Sequence, residues 1–433
     1  MNPSTIALIG VIVLIVLFLL KMPVAYAMAV VGFVGFSYLV SLPAGLAILA
    51  KDFWSQFASY NLSVIPMFVF MGSIAFYAGM GGRLYNTANK FLGHWRGGLA
   101  LATIVACAGF GALCGSTNAE AAAMAKVALP EMRKYGYNDS LATACIASAG
   151  SLAILIPPSA LLIVYGVITT ESIGKLFLAG IIPGIILTIL FMIAVFIICR
   201  VNPDLAPPGS RSSLREKLAS LSGVIEMLVL FMLVIGGIFL GWFTPTEAGG
   251  IGAAGALLLA LVQKKLTWKV LFDSLSDTTR ITGMVFMVIT GAIIFGHFMT
   301  ITDMPANITK WVSAMGLSPV LTMFLIILMY LIGGCFMDSL ALTTLTVPTL
   351  LPLIIAMGFN PIWFGIVIVL VGEAGVITPP VGINVYVIKG VVQDVPIETI
   401  FKGIFPFLVA IIVCIAILIF FPQIVTFLPD LMM

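Results

Sequence analysis

The sequence predicts an all-α polytopic membrane protein: an inverted repeat with ten crossings, two re-entrant hairpins and two broken helices. Three observations support that fold class. Of the 433 residues, 61% are hydrophobic and only 9% charged, whereas a soluble protein carries roughly a quarter charged residues, so too few ionic side chains exist to coat a water-facing surface. Apolar runs of bilayer-spanning length, about 20 residues, recur from end to end. Residues of the first half then reappear in the second at a fixed spacing of 222, as an internal duplication requires.

The opening MNPSTIALIG lacks the basic segment of a cleavable signal sequence, so residues 5–20 are a retained first span. Further spans are expected at 22–41, 62–79, 139–168, 173–199, 221–241, 246–263, 281–300, 361–393 and 400–422. Stretches 44–60, 81–96 and 264–280 mix charge with Trp and Phe and suit helices lying in the membrane interface. Two apolar stretches, 98–134 and 318–357, are interrupted at their middles by Gly115-Ser116-Thr117-Asn118 and by Met337-Asp338-Ser339. Each fits one re-entrant hairpin or two crossings, and both choices keep the same sidedness elsewhere.

The repeat is carried by punctuation residues. Pro130 matches Pro352, Gly136 and Asn138 match Gly358 and Asn360, Gly150 matches Gly372, and Pro157-Pro158 match Pro379-Pro380. After a one-residue insertion, Gly180 and Pro183 match Gly403 and Pro406. The first half is 1–200 and the second 223–433, joined by a polar linker at 201–222. Five crossings per half make the second enter upside down, the plan of secondary transporters. Fifteen basic residues (Lys21, Arg83, Lys90, Arg96, Arg133, Lys134, Arg200, Arg211, Arg215, Lys217, Lys264, Lys265, Lys269, Arg280, Lys402) fall on one face, against Lys51, Lys175 and Lys310 on the other. Positive loops stay in the cytoplasm, so both termini are expected outside. The net charge of +3 gives no footing for nucleic acid, and the six cysteines lie inside apolar segments without metal-ligand spacing.

Inside hydrocarbon a helix breaks only where protein or a water-lined cavity satisfies the freed backbone. Ile156-Pro157-Pro158-Ser159 and Thr378-Pro379-Pro380 place two prolines mid-span, each pair removing two donors and forcing the preceding residue out of the helical region. Freed carbonyls with hydroxyl, amide or carboxylate oxygens suit a hard cation such as Na⁺, while half-helix N-termini suit an anion. Candidate cation-site residues are therefore Gly115, Ser116, Thr117 and Asn118 with Gly150, Ile156, Pro157 and Pro158, and Met337, Asp338 and Ser339 with Gly372, Gly375, Thr378 and Pro379. Ser159, Glu373 and Asn384 are candidates for the anion. An acid in a span costs about 2.5–3.5 kcal/mol even on a lenient scale, which singles out Glu120, Asp338 and Glu373. Asp338 is the first choice as cation ligand, Glu373 coordinates or braces the break, and Glu120 either serves transport or pairs with Lys126 on its own helix. His94 and His297 share no motif and read as packed or interfacial.

Gly241-Trp242-Phe243-Thr244-Pro245-Thr246-Glu247-Ala248-Gly249 resembles the G-x-F-T-P-T-E-A stretch of the large membrane subunit of tripartite ATP-independent periplasmic (TRAP) transporters. Gly111 to Ala123, the Ile156–Ser159 break and Ile377-Thr378-Pro379-Pro380-Val381-Gly382 are similar to the same subunit, so the resemblance covers essentially the whole chain. It implies a Na⁺-driven importer of a carboxylate such as sialic acid, a C4-dicarboxylate or a sugar acid, in a bacterial inner membrane with periplasmic termini. It also implies a periplasmic substrate-binding protein and a small four-helix membrane subunit, the latter a separate polypeptide because no four-helix segment precedes Met1. On this sequence the mobile elevator domain of such transporters corresponds to about 98–168 and 318–393, with the remainder as scaffold. Na⁺ is the only cofactor expected, and no organic one.

The alternative of the same superfamily is a cation-coupled anion symporter that works without a binding protein. An intramembrane enzyme would need a catalytic constellation, and the sequence has no H-E-x-x-H, no G-x-G-D and no recognisable Ser/His pair. A channel or purely structural subunit leaves the paired breaks without a purpose.

Overall fold

The computed structural model describes residues 2–432, and among them every regular element is a helix. The first half opens with α1 (Pro3–Leu19), α2 (Val24–Leu39), α3 (Leu42–Phe57), α4 (Val64–Tyr77) and α5 (Met80–Leu92). A helical hairpin follows, α6 (Gly98–Cys114) and α7 (Thr117–Lys134), then a broken helix formed by α8 (Asp139–Ala149), α9 (Leu152–Leu155) and α10 (Ala160–Thr169), then the long α11 (Ile173–Val201). The second half runs α12 (Leu214–Phe239), α13 (Pro245–Val262), α14 (Trp268–Ile301) and α15 (Met304–Ala314), then the hairpin α16 (Pro319–Gly334) and α17 (Ser339–Ala356). A second broken helix, α18 (Pro361–Ile377) and α19 (Ile383–Val391), leads to α20 (Ile397–Phe420) and α21 (Gln423–Leu431). By length and composition seven helices can cross a membrane, or eight if the bent pair Leu42–Phe57 and Asn61–Tyr77 forms one span.

The repeated residues are helix punctuation. Gly136 and Gly358 turn the chain at φ +76 and +80 after each hairpin. Asn138 and Asn360 then cap α8 and α18, their side chains accepting from Ser140 N at 2.9 Å and from Ile362 N at 2.8 Å, which satisfies first-turn donors that a helix leaves open. The stretch Thr244–Glu247 is likewise a capping box at the start of α13: Thr244 N and Oγ1 both donate to the Glu247 carboxylate at 2.8 Å.

Some elements differ from expectation. Residues 264–280 do not form a separate interfacial helix; from Trp268 they are the start of α14, which runs unbroken for 34 residues because nothing after the Thr267 cap interrupts the backbone ladder. Residues 214–222 of the linker are helical, since Ser213 and Glu216 close a second capping box there. The short helices α15 and α21 were not anticipated.

The two hairpins and two broken helices interlock across the repeat: α10 packs on α17, and α19 packs on α7 and α8. Asn384 Nδ2 donates to the Ala147 carbonyl at 3.2 Å and Tyr165 OH to the Pro361 carbonyl at 2.5 Å, tying the halves together. Beside this body, α2 packs along α14, and α4 against both α13 and α14. Around Met28 and Phe298, α1, α2 and α14 share an apolar cluster of their own.

Candidate functional site

The first hairpin meets the first break backbone to backbone. Gly115 ends α6 at φ +60, and a Cβ there would lie 2.8 Å from the Pro158 carbonyl oxygen, so only glycine fits. Beneath this contact Glu120 is fully buried, and neither of its carboxylate oxygens has a hydrogen-bond partner. The expected pairing with Lys126 is not formed: Lys126 is exposed on a cavity wall. Six residues along a helix place two side chains about 120° apart, whereas pairs that touch are three or four apart.

The second hairpin repeats the arrangement with charge. A Cβ on Gly375 would lie 2.5 Å from Gly334 Cα, so tip and break again touch through main chain. Ser339 Oγ donates to Glu373 Oε1 at 2.9 Å, while Glu373 Oε2 is buried without a partner. Asp338 caps α17, its Oδ1 accepting from Leu340 N at 2.9 Å and Ala341 N at 3.0 Å. Thr378 Oγ1 donates to the Ala374 carbonyl at 2.5 Å. Pro157 and Pro158 are buried, whereas Pro379 and Pro380 are exposed.

At each contact two helices end and two begin. The first residues of α7, α10, α17 and α19 all reach one cavity of about 610 Å³, whose opposite wall is α4 and α14. Ser159 Oγ caps α10, accepting from Leu162 N at 3.3 Å, and Asp338 caps α17. The N-termini of α7 and α19, which pack together, have no side-chain cap, so their open N–H groups and dipoles suit an anion. Asp277, Asp338 and Glu373 line the cavity, and Lys126 is the one cationic residue among its lining. From the α4 side, Tyr77 OH donates to Asp277 Oδ2 at 2.5 Å.

Of the residues singled out in the sequence, Gly115, Ser116, Thr117, Asn118, Pro158, Asp338, Ser339, Glu373 and Asn384 line this cavity. Gly150, Ile156, Pro157, Ser159, Met337, Gly372, Gly375, Thr378 and Pro379 belong to the tip-and-break segments and are not among its lining. Sequence reasoning missed Tyr77, Asp277 and the placement of Lys126. Asp273 and Asp277 recur one helical turn apart, a signal hidden by assigning 264–280 to the interface. Lys126 entered the sequence reading only as one possible partner for Glu120, a pair the structure does not form.

The profile of the family described as "Tripartite ATP-independent periplasmic transporter, DctM component" matches residues 11–424. The chain belongs to this family. Among similar TRAP proteins, the C4-dicarboxylate TRAP transporter large permease protein DctM of Pseudomonas aeruginosa is 35% identical over 389 residues, 90% of either chain. The sialic acid TRAP transporter large permease protein SiaM of Vibrio cholerae is 33% identical over 412 residues, 95% of either chain. A solved structure, the YdaH transporter of Alcanivorax borkumensis, shares the fold, with TM-score 0.62 at 13% identity over 88% of this chain and 90% of that one. This TRAP component is accordingly a multi-pass membrane permease and not an enzyme.

Proposed function

We propose that this large permease imports an organic acid anion together with Na⁺, by an elevator movement of the α6–α10 and α16–α19 body past the remaining helices. The observation that carries the proposal is the meeting of four helix N-termini at one cavity bounded on its far side by α4 and α14. The uncapped starts of α7 and α19 would take the substrate carboxylate at Thr117, Asn118 and Asn384, with Lys126 as countercharge. Cations belong at the two tip-and-break contacts, where the ends of α6, α9, α16 and α18 supply carbonyls and Ser116, Thr117, Asp338, Ser339 and Glu373 supply further oxygens. The unpartnered Glu373 Oε2 fits that role, because a buried carboxylate without a counterion is costly.

Three carboxylates against one ammonium make the cavity repel an anion until cations bind, which couples the two. Sialic acid or a C4-dicarboxylate is the cargo class suggested by the relatives, delivered by a periplasmic binding protein to this chain and a small membrane subunit in the inner membrane, with ten crossings and periplasmic termini. The test is uptake into proteoliposomes holding this chain and its small subunit, supplied with loaded binding protein under an imposed Na⁺ gradient. Asp338→Ala should lose Na⁺-dependent uptake while inserting normally; unchanged sodium dependence would overturn the proposal, and uptake of free substrate unaided would favour a stand-alone symporter.

A further inference from the structure

The end of α11 and the start of α20 enclose a second hollow, a groove of about 630 Å³ completed by the first residues of α8. Its walls are apolar and open to the surroundings: Ile197, Phe405 and Val409 are 54, 69 and 43% exposed. Polar side chains lie toward one end, with Asn138 capping α8, Asn202 closing α11, and Lys402 near the start of α20. The Cα–Cβ bond of a helical residue tilts toward the helix N-terminus, so Lys402 leans toward the same end. No acidic residue lines the groove, and Lys402 makes no ion pair among the described residues. Of the nearby acids, Asp139 at the start of α8 and Asp394 before α20 are each held by Arg133 at 2.8 Å, while Asp204 and Glu398 flank the groove without lining it.

The repeat shows what such a groove requires. Its counterpart in the other half lies between the start of α11, the end of α20 and the beginning of α18, and there α21 packs against all three, burying Val425 and Pro429. The chain that follows α11 cannot do the same. After a single 3₁₀ turn, Pro203–Leu205, the residues Pro207, Pro208 and Gly209 stop any further helix, and the segment turns away to bond with the loop before α6, Gly209 N donating to Gly93 O at 2.8 Å and Gly97 N to Ala206 O at 3.2 Å. One groove is thus filled by the chain itself and its twin is left open, on the basic face of a membrane protein.

The geometry points to a binding site for an anionic phospholipid, acyl chains along α11 and α20 and phosphate at Lys402, Asn138 and Asn202. Acyl chains are the apolar matter a bilayer supplies to such a groove, and an unpaired lysine with two amides favours an anionic headgroup over a zwitterionic one.

Native mass spectrometry and thermal unfolding of the delipidated full chain, titrated with phosphatidylglycerol or phosphatidylcholine, test this. One phosphatidylglycerol should bind in preference to phosphatidylcholine and raise the melting temperature more. Lys402→Gln, a surface change, should reduce that preference about five-fold, and Val409→Trp, which fills the groove, should abolish the tight lipid, while Lys269→Gln on the same face leaves it intact. Equal binding of the two lipids by the unaltered chain, or undiminished preference in Lys402→Gln, overturns the proposal even if Val409→Trp does not fold. So does a photo-crosslinker at position 405 that captures a protein segment instead of lipid in cells.

Discussion

The two tip-and-break contacts share one backbone device and differ in their side chains. At the first, Gly115 meets Pro158 on the cavity wall, the tip offers only uncharged oxygens from Ser116, Thr117 and Asn118, and the nearby acid, Glu120, is buried and does not line the cavity. At the second, Gly375 meets Gly334, the tip carries Asp338 and Ser339, and Glu373 on the break faces the cavity. Under the offset of 222 Gly375 corresponds to Ala153, and a Cβ on Gly111 would lie 2.8 Å from Ala153 Cα, so in both halves tip and break press together through main chain while the charges diverge. On the proposed function, backbone would make each cation site and side chains would set its strength, so the second contact should hold a cation more tightly than the first.

The harshest test removes the shared device. Gly375→Val forces a side chain into the space of Gly334, where a Cβ already stands 2.5 Å from backbone; overpacking of this kind costs about 1–3 kcal/mol. Sodium should cease to stabilise the purified protein against heat, with choline as the control salt. Retained sodium stabilisation would mean the second contact is not a cation site.

Next comes the charge itself. Asp338 does two things, capping α17 and offering a carboxylate, and substitutions separate them. Asn caps about as well as Asp, so Asp338→Asn keeps α17 and removes only charge, whereas Asp338→Ala loses both. A charged hydrogen-bonding group is worth about 1.5–3 kcal/mol, so both variants should weaken sodium roughly 10- to 100-fold, and only the alanine variant should also lower stability without sodium. Equal sodium affinity for Asp338→Asn and the unaltered chain would place the coupling charge elsewhere.

These two tests bear on residues that were readable in advance for different reasons. The tips and breaks announce themselves because Gly, Ser, Asp and Pro-Pro inside apolar runs violate what a lipid-exposed helix tolerates. The repeat was equally legible, and it proved to consist of turn glycines and capping asparagines. The motif at Gly241–Gly249, the most distinctive stretch of the sequence, is a capped turn with no residue in the cavity. What was hidden is the far wall: Tyr77 and Asp277 are 200 positions apart, and nothing in either neighbourhood says that α4 and α14 face the hairpins. Lys126 shows the same limit, since its own helix names no partner and only the packing of the other helices opens the cavity beside it.

A smaller effect compares the two tips directly. Ser339→Ala strips the Glu373 carboxylate of the one hydrogen bond it makes among the described residues and leaves it buried and bare, a loss of about 1–3 kcal/mol. At the first tip, Ser116→Ala removes a neutral oxygen worth about 0.5–1.5 kcal/mol, so its sodium midpoint should move only roughly 2- to 10-fold. If Ser116→Ala matches or exceeds Ser339→Ala in sodium titrations of thermal stability, the ranking of the two contacts is reversed.

The gentlest prediction concerns what holds the contacts in one body. Arg133 joins Asp139, from the first half, to Asp394, which follows the second break, at 2.8 Å each. The hydrogen bond from Arg133 holds the exposed Asp394 carboxyl below its usual value. A carboxylate whose folded pKa is depressed adds stability that is fully present above the unfolded value, about 3.9, and that disappears as pH falls through the lowered one. Asp394→Asn should therefore lower the melting temperature slightly at neutral pH, by an amount on the order of a degree for so exposed a pair, and the variant and unaltered chain should converge in acid. A difference that persists or widens below pH 3 would show that Asp394 contributes through its shape and not its charge.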